Sequence, residues 1–340
     1  MSNSKYTFND VLFKPQYSEV TSRSLVNVST DMGIFKLNIP IVSANMKDIT
    51  GSKMAIAMAE SGALGILHRF GSIETLVGNY TCAINSLKDK NIPTTPYSVG
   101  VSIGVKEEDK ELFKALYDVG ARNFTIDIAH GHCLMLKNMV KFIRNNSNED
   151  LSLIGGNIAT AEAAKDLLDW GVGILKVGIG PGGVCQTRTN TGVGVPQLSA
   201  IEEIRTAFPN SIIISDGGIK TSGCICKAMK YANAVMVGSY ISGTTETPGK
   251  VYKNMDGKYY KTYGGSASGE NKIGNGAENS FVEGVVKTVD FRGHVKYILQ
   301  EIKEALQSSF SYSGSFCLKE FQEKSVLIQI SGGGKQESKI

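Results

Sequence analysis

The chain lacks most of what would mark an extracellular, membrane or nucleic-acid-binding protein. Six cysteines in 340 residues, scattered from Cys82 to Cys317, are too few for a disulfide framework at this length, so the thiols are expected to be reduced. No apolar run approaches a membrane span, and Met1-Ser2-Asn3-Ser4-Lys5-Tyr6-Thr7-Phe8 has no basic segment leading into an apolar core. A cytoplasmic protein with no membrane partner is expected. Neither sign of charge dominates: 36 basic against 32 acidic side chains leave a net of +4 spread along the chain, with no footprint for nucleic acid. No linker or internal repeat divides the sequence, so residues 1–340 are expected to form a single domain. Cys224 and Cys226 have no second Cys/His pair at ligand spacing and read as packing residues at a helix start.

What the chain does have is a rhythm. From Ile39 on, short apolar runs rich in β-branched residues alternate with amphipathic stretches, the pattern of a parallel sheet built from strand-helix units. Strands are expected at 40–44, 62–67, 97–102, 124–128, 152–157, 173–177, 211–215 and 234–238. Helices are expected at 53–61, 106–119, 134–144, 161–170, 197–207, 223–231 and 294–309. Eight such units fit a closed (β/α)8 TIM barrel better than an open doubly wound sheet. In that fold the active site lies on the loops after the strands, and polar residues gather there: Ser43-Ala44-Asn45-Met46, His68-Arg69-Phe70, Asp127 with His130 and His132, Gly155-Gly156-Asn157, Asp216-Gly217-Gly218 and Gly238-Ser239. A lone polar residue after a strand is often only a cap, but so many clusters aimed at one rim are hard to explain by capping.

The sixth of these loops organises the rest. Gly178-Ile179-Gly180-Pro181-Gly182-Gly183-Val184-Cys185-Gln186-Thr187-Arg188 carries four glycines in its first six residues, which allows peptide groups to turn inward around something small. Cys185 ends that turn, with the Thr187 hydroxyl and the Arg188 cation as candidates to hold its sulfur as thiolate. A glycine-rich surface loop with an incidental cysteine has the same local composition; the surrounding strand ends favour a site. After strands seven and eight, Gly217, Gly218, Gly238 and Ser239 suit a phosphate held by backbone N–H groups, and Asp216 suits ribose hydroxyls, so a nucleoside monophosphate or sugar phosphate is expected.

Residues 244–292 break the rhythm between strand eight and the last helix. A hairpin around Asp256-Gly257 is expected, followed by a polar Gly/Ser/Asn-rich stretch that is either decoration or a mobile flap over the site. Glu283 follows it as a candidate carboxylate over the substrate. A final strand is expected at 325–330, and 332–340 is expected to fray as a disordered tail.

The segments Gly178 to Arg188, Thr191-Gly192-Val193-Gly194-Val195-Pro196-Gln197, Ser215-Asp216-Gly217-Gly218, Val237-Gly238-Ser239, Thr125 to His132 and Tyr263 to Ala267, in that order, resemble the IMP dehydrogenase/GMP reductase family over nearly the whole chain. The resemblance implies a purine 5′-monophosphate substrate, GMP or IMP, attacked at C2 by Cys185, with a nicotinamide cofactor exchanging hydride at that carbon. It implies catalytic roles for Cys185, Thr187 and Glu283, and substrate contacts from Ser43, Asp216, Gly217, Gly218, Gly238, Ser239, Gly264, Gly265 and Ser266. It further implies a cofactor side at Arg69, Asp127 and Ala129, a monovalent cation, K+, at Gly180, Gly182, Cys185 and Arg188, and a homotetramer.

Between the branches, the dehydrogenases carry an Arg-Tyr pair in the flap to activate water, whereas residues 269–280 contain neither arginine nor tyrosine. The regulatory domain usual in dehydrogenases is also absent, since about thirty residues separate His68 from Tyr97, the size of one crossover. The segment 306–314 is likewise similar to the reductase branch in its bacterial short form. The expectation is a GMP reductase that uses NADPH in purine nucleotide salvage. The alternatives are an IMP dehydrogenase without its regulatory domain, converting IMP to XMP with NAD, and a purine-nucleotide-binding barrel without turnover. Gly265 and Ser266 depart from the family's usual Met and Ser or Gly under the base, Gln186 replaces a common Thr or Ile, and Ser280 stands where the family has a basic residue.

Overall fold

The computed structural model describes residues 5–148, 150–264 and 286–337. Strand β1 (Val11–Lys14) and the short antiparallel pair β2 (Thr30–Asp31) and β3 (Lys36–Leu37) precede the main body. Eight parallel strands follow: β4 (Ile41–Ser43), β5 (Leu64–Leu67), β6 (Val99–Ile103), β7 (Asn123–Asp127), β8 (Ser152–Ile158), β9 (Ile174–Val177), β10 (Ile212–Asp216) and β11 (Ala234–Val237). They close into a barrel through the pairing of β11 with β4. Every residue of β5, β6, β9 and β11 is buried, because barrel strands are covered on one face by helices and on the other by the barrel interior. That two-sided burial is why they read as continuous apolar runs.

The outer layer comprises α1 (Ser52–Glu60), α2 (Ile73–Asp89), α3 (Glu107–Asp118), α4 (Leu134–Asn145), α5 (Ala161–Trp170), the short α6 (Thr187–Thr191), α7 (Gln197–Ala207), α8 (Ser222–Ala228) and, after the insertion, α9 (Val295–Tyr312). All but the short α6, which buries no residue, pack buried side chains against the barrel. In α9, Val295, Ile298, Leu299, Ile302, Leu306 and Phe310 recur at helical spacing and are all buried. The Ser72 hydroxyl accepts the Thr75 N–H to start α2, and Gly171, in the left-handed region at φ 104°, ends α5. The 17-residue α2 fills the crossover between β5 and β6, where about thirty residues were expected to hold one crossover and no inserted domain.

The insertion after β11 begins as an antiparallel hairpin, β12 (Tyr252–Lys253) and β13 (Tyr259–Gly264), joined by β14 (Val286–Asp290) as a third strand. The expected hairpin is therefore present. The stretch read as a flap, with Gly265, Ser266 and Glu283, lies outside the described residues. At the C-terminus, α10 (Leu318–Lys324) leads into β15 (Val326–Gln329), which pairs antiparallel with β1. Of the tail expected to fray, 332–337 forms the helix α11 (Gly332–Glu337): the β1–β15 pairing brings it back to the N-terminal segment, where the Lys335 ammonium bonds the Asp10 carboxylate; 338–340 lie outside the described residues. Cys224 and Cys226 are buried in α8, capped by the Thr221 hydroxyl. Among the described residues no helix is long and apolar enough to cross a membrane.

Candidate active site

The cysteine loop leaves β9 through a backbone only glycine can supply. Gly178 sits at φ 151°, and a Cβ there would lie 1.9 Å from the Asp216 carbonyl oxygen. Gly180, at φ 84°, leaves room for the Arg188 side chain, whose Cγ would be 2.5 Å from a Cβ. The turn closes with the Cys185 N–H donating to the Gly182 carbonyl at 3.1 Å, and α6 begins two residues later. Cys185 is exposed, with its Sγ 3.1 Å from Thr187 Oγ1. Of the two groups expected at the sulfur, Thr187 is there. Arg188 is not: its guanidinium donates to the Val195 carbonyl and packs against Gly180 and Gly194, bracing the two ends of the loop.

The loop forms one wall of a cavity of about 740 Å³ at the carboxyl end of the barrel. Of the expected residues, Cys185, Thr187, Gly180, Gly182, Asp216, Gly217, Asp127, Ala129 and Arg69 all line it. Ser43 does not. It is fully buried and accepts the Thr50 hydroxyl at 2.8 Å, while Ala44, Asn45 and Met46 face the cavity in its place. The Gly218 N–H donates to the Pro181 carbonyl at 3.0 Å, so it fastens the cysteine loop to the β10 end. Ser239 lies in a neighbouring hollow of about 510 Å³ with Lys220, Thr221, Ser222 and Arg292, and its hydroxyl faces Gly183, where a Cβ would approach it to 3.2 Å. Gly238 packs against Tyr263 and Ala44 at the top of β11. Gly264 donates its N–H to Asp48 Oδ2 at 2.8 Å, leaving Tyr263 as the residue of that strand on the cavity. His132 pairs with Asp166 at 2.9 Å beside Trp170, away from the cavity.

Under the cavity lies a charge cluster that the strand ends only half disclosed. Lys176 Nζ is 2.9 Å from Asp127 Oδ1 and 2.9 Å from Asp216 Oδ2, with the lysine side chain 3% exposed. Asn157 Nδ2 donates to Asp216 Oδ2 and to the Gly178 carbonyl, each at 2.7 Å. Gln197, also buried, donates to the Val177 carbonyl at 2.7 Å and to Ser215 Oγ at 3.1 Å, holding the strand end beneath the loop. Sequence reasoning missed Lys176 as a site residue; its signal was a lysine inside an otherwise apolar strand.

Burial pushes the Asp127 carboxyl up, but the Lys176 ammonium, with Arg69 adding to it, outweighs burial and holds it below its ordinary 3.8. A carboxyl depressed in the folded state contributes stability that is complete above its unfolded value and lost as pH falls through the folded one. Below about pH 4, the urea midpoint of the wild type should therefore fall more steeply than that of Asp127→Asn. Parallel profiles for the two proteins would remove this carboxylate from the acid sensitivity. Lys176 is pushed down by burial and pulled up more strongly by its two carboxylates, so it stays charged.

Comparison with known proteins places this geometry. The IMP dehydrogenase / GMP reductase domain matches residues 5–340. A GMP reductase from Mesoplasma florum is 34% identical over 328 residues, covering 95% of this chain and 97% of the relative. An inosine-5′-monophosphate dehydrogenase from Cryptosporidium parvum is also 34% identical, over 385 residues, covering 98% and 94%. The crystal structure of a cysteine-to-alanine variant of GMP reductase from Trypanosoma brucei, in complex with guanosine 5′-monophosphate, superposes with a TM-score of 0.89 at 28% identity, covering 99% of this chain and 97% of that one.

Proposed function

The chain belongs to the IMP dehydrogenase/GMP reductase family, and from that premise we propose that it is a GMP reductase, converting GMP to IMP and ammonia with NADPH. The observation that carries the reading is Cys185 Sγ, 3.1 Å from Thr187 Oγ1, at the wall of a cavity large enough for a nucleotide and more. Overall identity does not choose the branch, being 34% to a reductase and 34% to a dehydrogenase. The choice rests on residues 269–280, which lack the arginine and tyrosine that a dehydrogenase needs to activate water.

In the proposed reaction the Cys185 thiolate adds to C2 of GMP, and the exocyclic amine takes a proton and leaves as ammonia. Thr187 and Glu283 hand over that proton, the hydroxyl reaching the amine and the protonated Glu283 carboxyl supplying it. When bound, the reduced nicotinamide supplies the hydride that C2 gains. The C2–S bond then breaks, returning the thiolate and freeing IMP. Asp216 accepts ribose hydroxyls, and the backbone at Gly217, Gly218, Gly238 and Ser239 cradles the phosphate, with Gly218 contributing through the turn it fixes.

Arg69, Phe70, Lys106, Glu108 and Asp109 also line the cavity, and the Arg69 guanidinium lies 5.0 Å from the Phe70 ring centroid. The two cations suit the phosphates of a dinucleotide, the aromatic face one of its rings and the carboxylates its hydroxyls. For a monovalent cation, K+, the fitting donors are the carbonyls of Gly180, Gly182 and Cys185, hard oxygens on one tight turn. The Arg188 guanidinium has no lone pair to offer, so Arg188 would join them through its carbonyl, which, like that of Gly182, accepts one N–H at 3.1 Å and keeps a second lone pair. A homotetramer completes the reading on the resemblance alone. The test is product identity: GMP labelled with nitrogen-15 at the exocyclic amine, incubated with NADPH, should release labelled ammonia in step with IMP. Label retained in the nucleotide would overturn the assignment.

A further inference from the structure

Lys176 is the only charged residue in β9, set between Leu175 and Val177, and its side chain is almost wholly buried. Its ammonium reaches Asp127 at the end of β7 and Asp216 at the end of β10 with equal 2.9 Å contacts. Since β8 and β9 lie between β7 and β10, no backbone ladder joins these two carboxylates directly. Asp127 and Asp216 both line the cavity, the first among the residues assigned above to the cofactor, with Arg69 and Ala129, the second among those assigned to the nucleotide, with Gly217. The chain of contacts continues from Asp216 through the Asn157 amide to the Gly178 carbonyl, where the Cys185 loop begins.

Stability gives no reason for a lysine here, because a buried ion pair contributes little over an apolar side chain of similar volume. A shared cation does supply a link: a carboxylate fixed through Lys176 on one side fixes its counterpart on the other. We propose that Lys176 is a positioning residue that couples the nucleotide half of the site to the cofactor half through Asp216 and Asp127. Binding of the ribose to Asp216 pins the ammonium, which holds Asp127 in place for the nicotinamide side, so each ligand tightens the other. This inference rests on the reading of the cavity as a GMP and NADPH site.

The test uses GMP with NADP+ in the Cys185→Ala background, where no adduct forms at C2 and the oxidised cofactor has no hydride to give, so the pair binds without reacting. By calorimetry, saturating GMP should tighten NADP+ binding to Cys185→Ala by at least about five-fold, and adding Lys176→Met should bring that factor to within about two. A purely structural lysine would lower the melting temperature of the variant and leave the coupling intact. Should Lys176→Met fail to fold, Asp216→Asn keeps the side-chain shape while removing the charge that anchors the ammonium. Its NADP+ affinity in the absence of GMP should fall about five-fold. Coupling unchanged in Lys176→Met, or NADP+ affinity unchanged in Asp216→Asn, overturns the positioning role. Wild-type protein that turns over GMP while those results fail leaves the function standing and removes the inference alone; wild-type protein that neither binds nor reduces GMP removes both.

Discussion

Cys185→Ala is expected to lower turnover of GMP by about five to six orders of magnitude, the scale of loss when a covalent nucleophile is deleted. Among the described residues of the cavity wall, nothing else offers C2 a comparable attacking atom. The alanine removes only the sulfur, while the loop that carries it is held by other contacts: the Gly218 N–H on the Pro181 carbonyl, Arg188 on the Val195 carbonyl and the Asn157 amide on the Gly178 carbonyl. GMP binding should therefore persist, measured by calorimetry on the variant. Retained turnover would mean that the loop binds substrate without attacking it. Loss of binding together with turnover would mean that the sulfur holds the loop in shape, a structural role in place of the chemical one.

The second large effect is expected at Glu283. If it supplies the proton that Thr187 passes to the leaving amine, Glu283→Gln should slow ammonia release by about two to four orders of magnitude. The hydride step needs no proton at that amine. A 2-halogenated inosine monophosphate, which gives the Cys185 adduct by losing halide, should thus be reduced by the variant at near the wild-type rate. Equal slowing with both substrates would assign Glu283 to closing the segment over the site and take it out of the proton transfer.

The barrel was legible because its strands are buried on both faces and so stand out as apolar runs, and because the polar residues after them share one rim. Residues whose role depends on side-chain direction were not. Ser43 ends a three-residue strand, too short for alternation to fix which way its hydroxyl points, and it turns to Thr50 in the barrel wall. Arg188 follows the cysteine by three residues, yet the turn of α6 carries it to the far end of the loop. Lys176 showed in the sequence only as an oddity in an apolar strand, since its two carboxylates arrive from distant strands once the barrel closes. The N-terminal strand β1 gave no periodic signal over its four residues, and so the pairing with β15 that carries the C-terminal helix back was out of reach.

The measurement that bears most directly on the function is the near-ultraviolet absorbance of the reduced nicotinamide, followed in two parallel reactions of the purified protein. With GMP and NADPH the absorbance should fall, with loss of one cofactor for each IMP formed, and with IMP and NAD it should stay flat. A rise in the second reaction with XMP as product, and no change in the first, would contradict the reductase assignment and make the protein a dehydrogenase.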